Sequence, residues 1–207
     1  ITVNKIRQVC YGVDKREKLN TLVKILRKNN IKRCMVFTNT KTWADTMTRI
    51  IRDKGFRVAS IHSNLSQSQR SKVIEDFKKG LFEVLIATDV AARGLHIDDV
   101  THIINYDLPR NPKDYIHRIG RTGRAGEEGD AISLLTQQDE PLLKGIEREI
   151  KMFLDVIPLK ADFDGKIHVP KPREMSAEEL VALGPAEEFQ YAKKKSFEAM
   201  PIRADGE

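Results

Sequence analysis

Short apolar runs alternate along this chain with longer stretches in which apolar residues recur every three or four positions. The apolar runs predict β-strands and the periodic stretches predict amphipathic helices, because side chains change face at every residue of a strand but recur about every 3.6 residues in a helix. The predicted strands span residues 6–11, 34–38, 58–61, 84–88, 102–105 and 131–135. The predicted helices lie near residues 15–29, 41–54, 66–79, 112–121 and 138–152.

The strand at residues 84–88 indicates how the predicted sheet is covered. Its run from Val84 to Ala87 contains no polar residue. Strands that helices cover on both faces are continuously apolar, whereas a strand with one face in water alternates between apolar and polar residues. Repeated strand–helix units of this length favour an open α/β sheet. We therefore predict the α/β class: a doubly wound, mostly parallel sheet with helices on both faces.

The composition changes after Pro158, where no strong strand signal follows. Prolines recur there at Pro158, Pro170, Pro172, Pro185 and Pro201. Ser176 with Glu179 has the form of a capping box, and residues 186–199 are compatible with another helix. We predict one domain over residues 1–157 and an extension over residues 158–207, made of short helices or partly mobile.

Net charge, apolar runs and cysteine content exclude few classes of function. The formal net charge of +6 weakly favours a polyanionic partner. No apolar run is long enough to span a membrane and no signal peptide is evident, so we expect a cytoplasmic protein with no membrane partner. Cys10 and Cys34 lie in apolar runs without metal-ligand spacing. We predict that both are buried free thiols and that the chain has no metal site.

The most informative stretch is 117–124, which holds three arginines, one histidine and two glycines. It follows a clear helix start, with Asn111 as N-cap and Pro112 at the first helical position. If this helix continues, His117, Arg121 and Arg124 share one face. Arginine keeps its charge and offers a rigid fork of donors, so such a face suits phosphate oxygens. A solvated basic helix is the plainer alternative.

Short polar side chains follow three of the predicted strands. The three clusters are Thr38-Asn39-Thr40, His62-Ser63-Asn64 and Thr88-Asp89. Each cluster alone is compatible with an ordinary helix cap. In open parallel sheets, however, ligands bind outside the carboxyl ends of the strands. With Arg70 and Arg93 close behind them, the clusters indicate a surface for a phosphate backbone.

Two nucleotide-binding motifs are missing from the sequence. It contains neither a Gly-x-x-x-x-Gly-Lys-[Ser/Thr] phosphate loop nor an Asp-Glu-x-Asp carboxylate motif after an apolar strand. Arginines without a phosphate loop assist a nucleotide that is held elsewhere, as arginine fingers do. The sequence therefore predicts one half of a two-part site.

Four segments in order resemble motifs of the second RecA-like domain of DEAD-box ATP-dependent RNA helicases, in superfamily 2. They are residues 36–40 (motif IV), 62–70 (motif IVa), 87–95 (motif V) and 117–124 (motif VI). Related DNA helicases usually have glutamine at the position of His117, so the RNA branch is favoured. The resemblance covers about residues 1–157 and implies a RecA-like fold.

The resemblance also implies how the chain would act on ATP. The residues that it assigns to the ATP site are Arg121, Arg124, His117, Arg118, Gly94 and His96. Arg121 and Arg124 would reach the γ-phosphate of ATP, which with Mg²⁺ would be held mainly by an N-terminal RecA-like domain. His117 would couple to a carboxylate motif of that domain, and Arg118 would support the closed interface.

RNA is the second ligand that the resemblance implies, bound through its sugar-phosphate backbone. The residues assigned to it are Thr38, Asn39, Gln69, Arg70, Thr88, Arg93 and Gly94. ATP and RNA would both favour closure of the two domains, and closure would open a short duplex. We expect the chain to be the C-terminal core domain of a longer helicase, and by itself to bind RNA weakly and hydrolyse no ATP.

Two positions depart from the family pattern. Motif IVa usually has His-Gly-Asp, where this chain has His62-Ser63-Asn64, and motif V usually has aspartate at the position of His96. By the resemblance, the second change implies weaker or altered nucleotide binding. Two alternatives stay open: a non-catalytic RNA-binding or protein-docking module of the same fold, and the motor half of a DNA translocase.

Overall fold

The structure is a computed structural model that describes residues 6–29, 31–95, 97, 100–123, 129–169 and 176. In this part of the chain, the strands are β1 (Ile6–Gly12), β2 (Cys34–Phe37), β3 (Val58–Ile61), β4 (Val84–Ala87), β5 (His102–Asn105), β6 (Gly129–Leu135) and β7 (Val156–Pro158). The helices are α1 (Lys18–Lys28), α2 (Lys41–Asp53), α3 (Gln67–Lys78), α4 (Asp89–Ala92), α5 (Pro112–Ile119) and α6 (Glu140–Ile150), the last preceded by a 3₁₀ turn (Gln137–Asp139).

The strands form one sheet in the order β3-β4-β2-β5-β6-β1-β7, and each described pairing is parallel. Met35 and Phe37 of β2 face a cluster that includes residues of α3 and α4, whereas Cys34 and Val36 face α1 and α2. A parallel pair needs a crossover connection, and the helices that make these crossovers cover both faces. The predicted α/β class, with helices on both faces of a parallel sheet, is confirmed.

The register of the central strands brings their carboxyl ends to one level. Phe37 at the end of β2 pairs with Ala87 of β4 and with Asn105 of β5, and Ala87 also pairs with Ile61 of β3. The residues that directly follow these four strands therefore lie at one level of the sheet: Thr38, His62, Thr88 and Tyr106. We call this side of the sheet the carboxyl edge. The prediction that the three polar clusters meet at one edge is confirmed.

Local capping fixes where the helices beside this edge begin. Thr40 caps α2 by accepting a hydrogen bond from the backbone of Trp43 at 3.2 Å. Asn111 caps α5 by accepting from the Lys113 amide at 3.1 Å, and Pro112 occupies the first turn, as predicted. Caps of this kind satisfy helix-terminal N–H groups that have no partner within the helix.

The end of α5 differs from the prediction. The helix stops at Ile119 with Gly120 as its C-cap, so Arg121 does not continue the helical face of His117. Glycine is a poor helix former, and the chain turns to bring the Thr122 hydroxyl to the carbonyls of Val100 and Thr101. The condition for the shared helical face, a helix that continues past Ile119, is therefore not met, and Arg124 lies outside the described residues.

The structure adds β7, which the sequence analysis missed. It pairs with β1, Cys10 opposite Val156, and crosses the predicted boundary between residues 157 and 158. The segment 159–169 then packs on the domain: the Tyr11 hydroxyl accepts from the His168 amide at 2.9 Å and donates to the His168 carbonyl at 3.1 Å. The remainder of the predicted extension, apart from Ser176, lies outside the described residues.

The two cysteines are free and buried, as predicted. Burial raises the pKa of the Cys34 thiol, because the charged thiolate is disfavoured away from water. Among the described residues, no helix combines the length and the apolar character needed to cross a membrane.

Candidate functional site

The centre of the carboxyl edge is a buried arginine. Arg118 of α5 is 1% exposed and donates from Nε and Nη2 to the two carboxylate oxygens of Asp89, at 2.6 and 2.7 Å. Its Nη1 donates to the Asn105 side chain at 3.1 Å and to the Asp107 carbonyl at 2.6 Å. The guanidinium lies 4.9 Å from the centre of the Phe37 ring.

These contacts give Arg118 a positioning role. A buried charge is tolerated when it is paired and its donors are satisfied, and a two-pronged pair with a carboxylate is the strongest form. One side chain thereby ties α5 to the ends of β2, β4 and β5. Because the guanidinium is buried and engaged, direct phosphate contact is not available to Arg118 in this conformation.

Thr38 also lies below the surface rather than on it. Its hydroxyl donates to the Asp107 carboxylate at 2.6 Å and the residue has no exposed area. The predicted contact of Thr38 with RNA is therefore not available in this conformation. Asn39, next along the chain, is exposed, and its amide group is oriented by the Leu108 carbonyl at 3.1 Å. Of the two, Asn39 is the residue that an external ligand can reach.

Arg93 and His117 meet at one carboxylate. Nη2 of Arg93 lies 2.9 Å from both oxygens of Asp114, and Nδ1 of His117 lies 3.5 Å from one of them. Hydrogen bonding and attraction to Asp114 raise the pKa of Arg93. The side chains of Arg93 and His117 are 60% and 65% exposed. The structure thus brings one residue from motif V and one from motif VI to the same exposed spot.

Arg121 docks onto the turn that follows α4. Its guanidinium donates to the carbonyl of Leu95 and to that of Ala92, the latter at 3.4 Å. Between these two residues, Gly94 has φ +74°, in the left-handed region that side-chain-bearing residues rarely adopt. The glycine therefore shapes the turn on which Arg121 rests.

A shallow pocket opens where these groups converge. It is lined by Phe37, Asp89, Ala92, Arg93, Asp114, His117, Arg118 and Arg121. Four of the eight are basic, and the exposed ones offer N–H donors, so the pocket suits a phosphate group. Residues of motifs V and VI therefore converge at one pocket, although no shared helical face produces this arrangement.

Motif IVa flanks the same edge at the start of α3. Arg70 donates from Nη2 to the Ala91 carbonyl of α4 at 3.0 Å, and its buried Nε has no partner among the described residues. Gln69 is exposed but forms a capping box with Ser66. Thr88, the N-cap of α4, is 8% exposed and makes no side-chain cap bond.

Asp45 and Lys41 of α2 hold the turn before α3. The buried His62 places Nε2 at 2.7 Å from the Asp45 carboxylate. The Asn64 side chain accepts from Nζ of Lys41 at 2.9 Å. Asn64, one of the departures from the family pattern, thus binds a lysine in this chain.

Sequence reasoning missed the carboxylates that orient the basic residues. Asp89 was noted only as part of a polar cluster, and the importance of Asp107 and Asp114 was not recognised. Opposite charges at one predicted edge were an available signal for pairing. His96 lies outside the described residues, as Arg124 does. Among the described residues, no group of three or more His, Cys, Asp or Glu side chains is placed to hold a metal ion.

Comparison with known proteins gives this edge a family context. Residues 17–126 match the family described as helicase conserved C-terminal domain. The chain is 41% identical over 155 residues to the DEAD-box ATP-dependent RNA helicase CshA of Bacillus licheniformis, covering 75% of this chain and 32% of that protein. It is 41% identical over 173 residues to the ATP-dependent RNA helicase RhlB of Xanthomonas axonopodis pv. citri, covering 84% and 30%. The chain therefore spans about a third of the length of these curated relatives.

Solved structures with the same fold include several DEAD-box proteins. E. coli SrmB bound to regulator of ribonuclease activity A has a TM-score of 0.70 at 34% identity, covering 82% of this chain and 96% of that chain. A DEAD box protein from Methanococcus jannaschii has a TM-score of 0.69 at 44% identity, covering 75% and 42%. The C-terminal domain of Dbp5 has a TM-score of 0.71 at 32% identity, covering 75% and 92%.

The fold and its carboxyl edge define a RecA-like helicase domain, the class that the sequence motifs indicate. The chain belongs to the DEAD-box RNA helicases, in which it corresponds to the helicase C-terminal domain. The predicted RecA-like fold and the predicted family are thereby confirmed.

Proposed function

We propose that this chain is the C-terminal core domain of an ATP-dependent RNA helicase and completes an ATP site whose other wall is an N-terminal RecA-like domain. That domain would hold ATP with Mg²⁺, and this chain would supply Arg121 and Arg124 to the γ-phosphate. The observation that carries the proposal is the pocket in which Arg93, His117 and Arg121 converge. An arginine finger stabilises the charge that develops during phosphoryl transfer.

The basic residues would have different roles at this interface. Arg121 touches the ligand, His117 is exposed and free to meet the opposite domain, and Arg118 is a positioning residue that acts through Asp89. Support for this division comes from exposure: the Arg118 side chain is 1% exposed and that of His117 is 65% exposed. A buried, engaged arginine holds geometry, whereas an exposed histidine is available to a partner.

RNA would bind along the adjacent part of the carboxyl edge through its backbone. Asn39, Gln69, Arg70, Thr88, Arg93 and Gly94 are the proposed contacts, with Thr38 supporting the edge from below. Short polar groups together with the guanidiniums of Arg70 and Arg93 match phosphate contacts, which carry no base information. Dbp5, a relative at 32% identity, has been solved with RNA and ADP BeF3, and this supports a shared binding region.

The same geometry provides a route for coupling the two ligands. Arg93 would contact RNA while its partner Asp114 also contacts His117, which would face the other domain. ATP and RNA each favour the closed arrangement when each contacts both domains. Closure would bend one strand and open a short duplex, and loss of the γ-phosphate contact would release the RNA.

The proposal is tested by comparing this chain with the two-domain parent protein. We expect the parent to hydrolyse ATP in the presence of RNA and to displace a short duplex strand. We expect this chain alone to bind single-stranded RNA but to hydrolyse no ATP. Turnover of ATP by this chain alone, or a parent that neither hydrolyses ATP nor unwinds RNA, would contradict the proposal.

A further inference from the structure

The amino edge of the sheet, opposite the proposed ATP and RNA sites, carries a concentrated positive charge. The last turns of α1, α2 and α3 and the loops that lead to β2, β3 and β4 hold nine basic residues and four acidic ones, a net charge of +5 out of +6 for the whole chain. The nine are Arg27, Lys28, Lys32, Arg33, Arg52, Lys54, Arg57, Lys78 and Lys79, and the four are Asp53, Glu75, Asp76 and Glu83. We call these thirteen residues the amino-edge patch.

The topology makes the patch one surface. Cys34 at the start of β2 and Val58 at the start of β3 both pair with Val84 at the start of β4, so the three loops arrive at one level. In a parallel sheet with crossover helices, the carboxyl ends of those helices lie at the same edge.

Hydrogen bonds between the loops hold the patch together. Arg27 donates to the Lys54 carbonyl at 3.3 Å, and Arg33 donates to the Lys78 carbonyl at 2.5 Å. Arg57 donates to a carbonyl of the loop after α3 at 3.0 Å. The arginines therefore hold the backbones of neighbouring loops together, and these loops and helix ends carry the lysines.

Much of this charge has no counter-charge within the described chain. Lys28, Lys32, Lys54 and Lys78 are exposed, and none forms an ion pair with a described residue. Two other basic residues of the patch are paired, Lys79 with Glu75 at 2.5 Å and Arg57 with Glu83 at 3.4 Å. The four lysines that are unpaired among the described residues therefore leave the patch with a net positive charge.

The dipoles of the three helices offset only part of the positive charge of the patch. Each helix carboxyl end carries about half a unit of negative charge, so three of them offset about 1.5 units. The remaining positive charge repels itself, which disfavours the folded state unless a polyanion is bound.

We infer that the amino-edge patch is a second contact site for the sugar-phosphate backbone of RNA. The inference rests on the proposed function only in taking RNA as the ligand of the chain. Lysines bind phosphates as point charges without reading sequence. A strand or flanking helix would stay attached here when the carboxyl edge releases its segment.

The two RNA surfaces are separated by the length of a helix. The 12 residues of α3 run from one edge to the other, which is about 18 Å at about 1.5 Å per residue. At about 3.4 Å per nucleotide, an RNA of about 3 nucleotides spans about 10 Å and reaches only one edge, whereas one of about 20 nucleotides spans about 68 Å and can reach both.

RNA length therefore separates the two sites in a binding experiment with this chain. The test variant combines Lys32→Gln, Lys54→Gln and Lys78→Gln, and the matched control combines Lys24→Gln, Lys72→Gln and Lys144→Gln. Both remove three positive charges, but the control residues lie within α1, α3 and α6, between the two edges of the sheet. Thermal unfolding verifies that each variant folds.

For the RNA of about 20 nucleotides, we expect the test variant to bind at least about tenfold more weakly at about 0.1 M salt, with a salt slope smaller by up to about 2. The short RNA should bind both variants equally. Unchanged long-RNA affinity, or an equal loss in the control, would overturn the inference. Loss of polyglutamate binding with RNA binding intact would instead indicate an acidic protein partner, and would overturn it too.

The outcomes also separate this inference from the proposed function. Failure of the unaltered chain to bind the short RNA would count against the carboxyl edge as an RNA site. A length-dependent loss in the test variant would, in that event, still support the amino-edge patch.

Discussion

At the scale of single residues, Arg118 shows how a buried charge is stabilised inside a protein. Its guanidinium donates to carboxylate, amide and carbonyl oxygens and lies against the Phe37 ring, and Asp89 supplies a carboxylate of matching geometry. Removal of such a partner leaves a buried charge unpaired, which costs more than the pair contributes. Arg118 therefore connects the order of the edge to the stability of the domain.

The substitution Arg118→Lys tests this connection. Lysine keeps the charge but cannot reproduce the fork of donors, so buried acceptors lose their partners and we expect the free energy of unfolding to fall by about 1–3 kcal/mol. Urea denaturation measures the change. Arg49→Lys, at an exposed position on α2, is the matched control and should shift the value by less than about 0.5 kcal/mol. Equal effects of the two substitutions would contradict the structural role of Arg118.

His102 links stability to pH. Burial lowers its pKa, and this outweighs the attraction of Asp130 at 3.6 Å. The folded chain thus binds a proton at this site less readily than the unfolded chain. The free energy of unfolding should therefore fall as pH decreases through about 6.5, and level off below the folded-state pKa.

His102→Gln should reduce that pH dependence, as measured by urea denaturation between about pH 7.5 and 5. His117→Gln is the control, because the His117 side chain is 65% exposed. An unchanged slope in His102→Gln would show that His102 does not contribute to the effect.

Local residue roles were predictable where they depend on near neighbours. The caps at Asn111 and Thr40 follow from side chains that bond amides two or three positions away. The pairing of Arg118 with Asp89 joins residues 29 positions apart and depends on how α5 packs on the sheet. The sequence pattern predicts that both residues lie near the edge but does not predict that they pair.

At the scale of elements, strong hydrophobic patterns were sufficient to predict strands and helices, and weak patterns were not. The predicted strands and the five predicted helices are all present in the described residues. The three-residue strand β7 ends in proline and gives almost no pattern, and its pairing with β1 is a tertiary effect. The predicted end of α5 near residue 121 lies two residues beyond its observed end at Ile119, because Gly120 ends the helix.

The segment after β7 offers a test of its own packing. Gly165 has φ +98°, and a Cβ atom there would overlap the backbone of Lys24 in α1. Asn29 at the end of α1 also donates to the Gly165 carbonyl at 2.8 Å. Segment 159–169 is therefore held against α1 at a point where only glycine fits.

We expect Gly165→Ala to lower the free energy of unfolding by at least about 1 kcal/mol more than Gly55→Ala. Gly55 is a matched control, because its φ is +92° but a Cβ atom there meets nothing within 4 Å. Urea denaturation of both variants gives the comparison. Equal losses would show that the contact with α1 does not restrict residue 165.

At the scale of the whole molecule, the fold separates two groups of basic residues. The carboxyl edge gathers the groups that would act on ATP and RNA, and the amino edge gathers lysines of which four are unpaired among the described residues. The family and the gathering of polar and basic residues at one edge were predictable, because the motifs and strand ends occur in sequence order. The arrangement within the edge was not, because it depends on carboxylates from separate elements.

The central claim is that Arg121 acts on ATP across an interface between two domains. The most direct test is the turnover number for RNA-stimulated ATP hydrolysis by the two-domain parent carrying Arg121→Ala, with RNA affinity and unfolding measured alongside. We expect a loss of about 10³-fold or more in turnover with RNA affinity retained. Turnover close to that of the unaltered parent would contradict the claim.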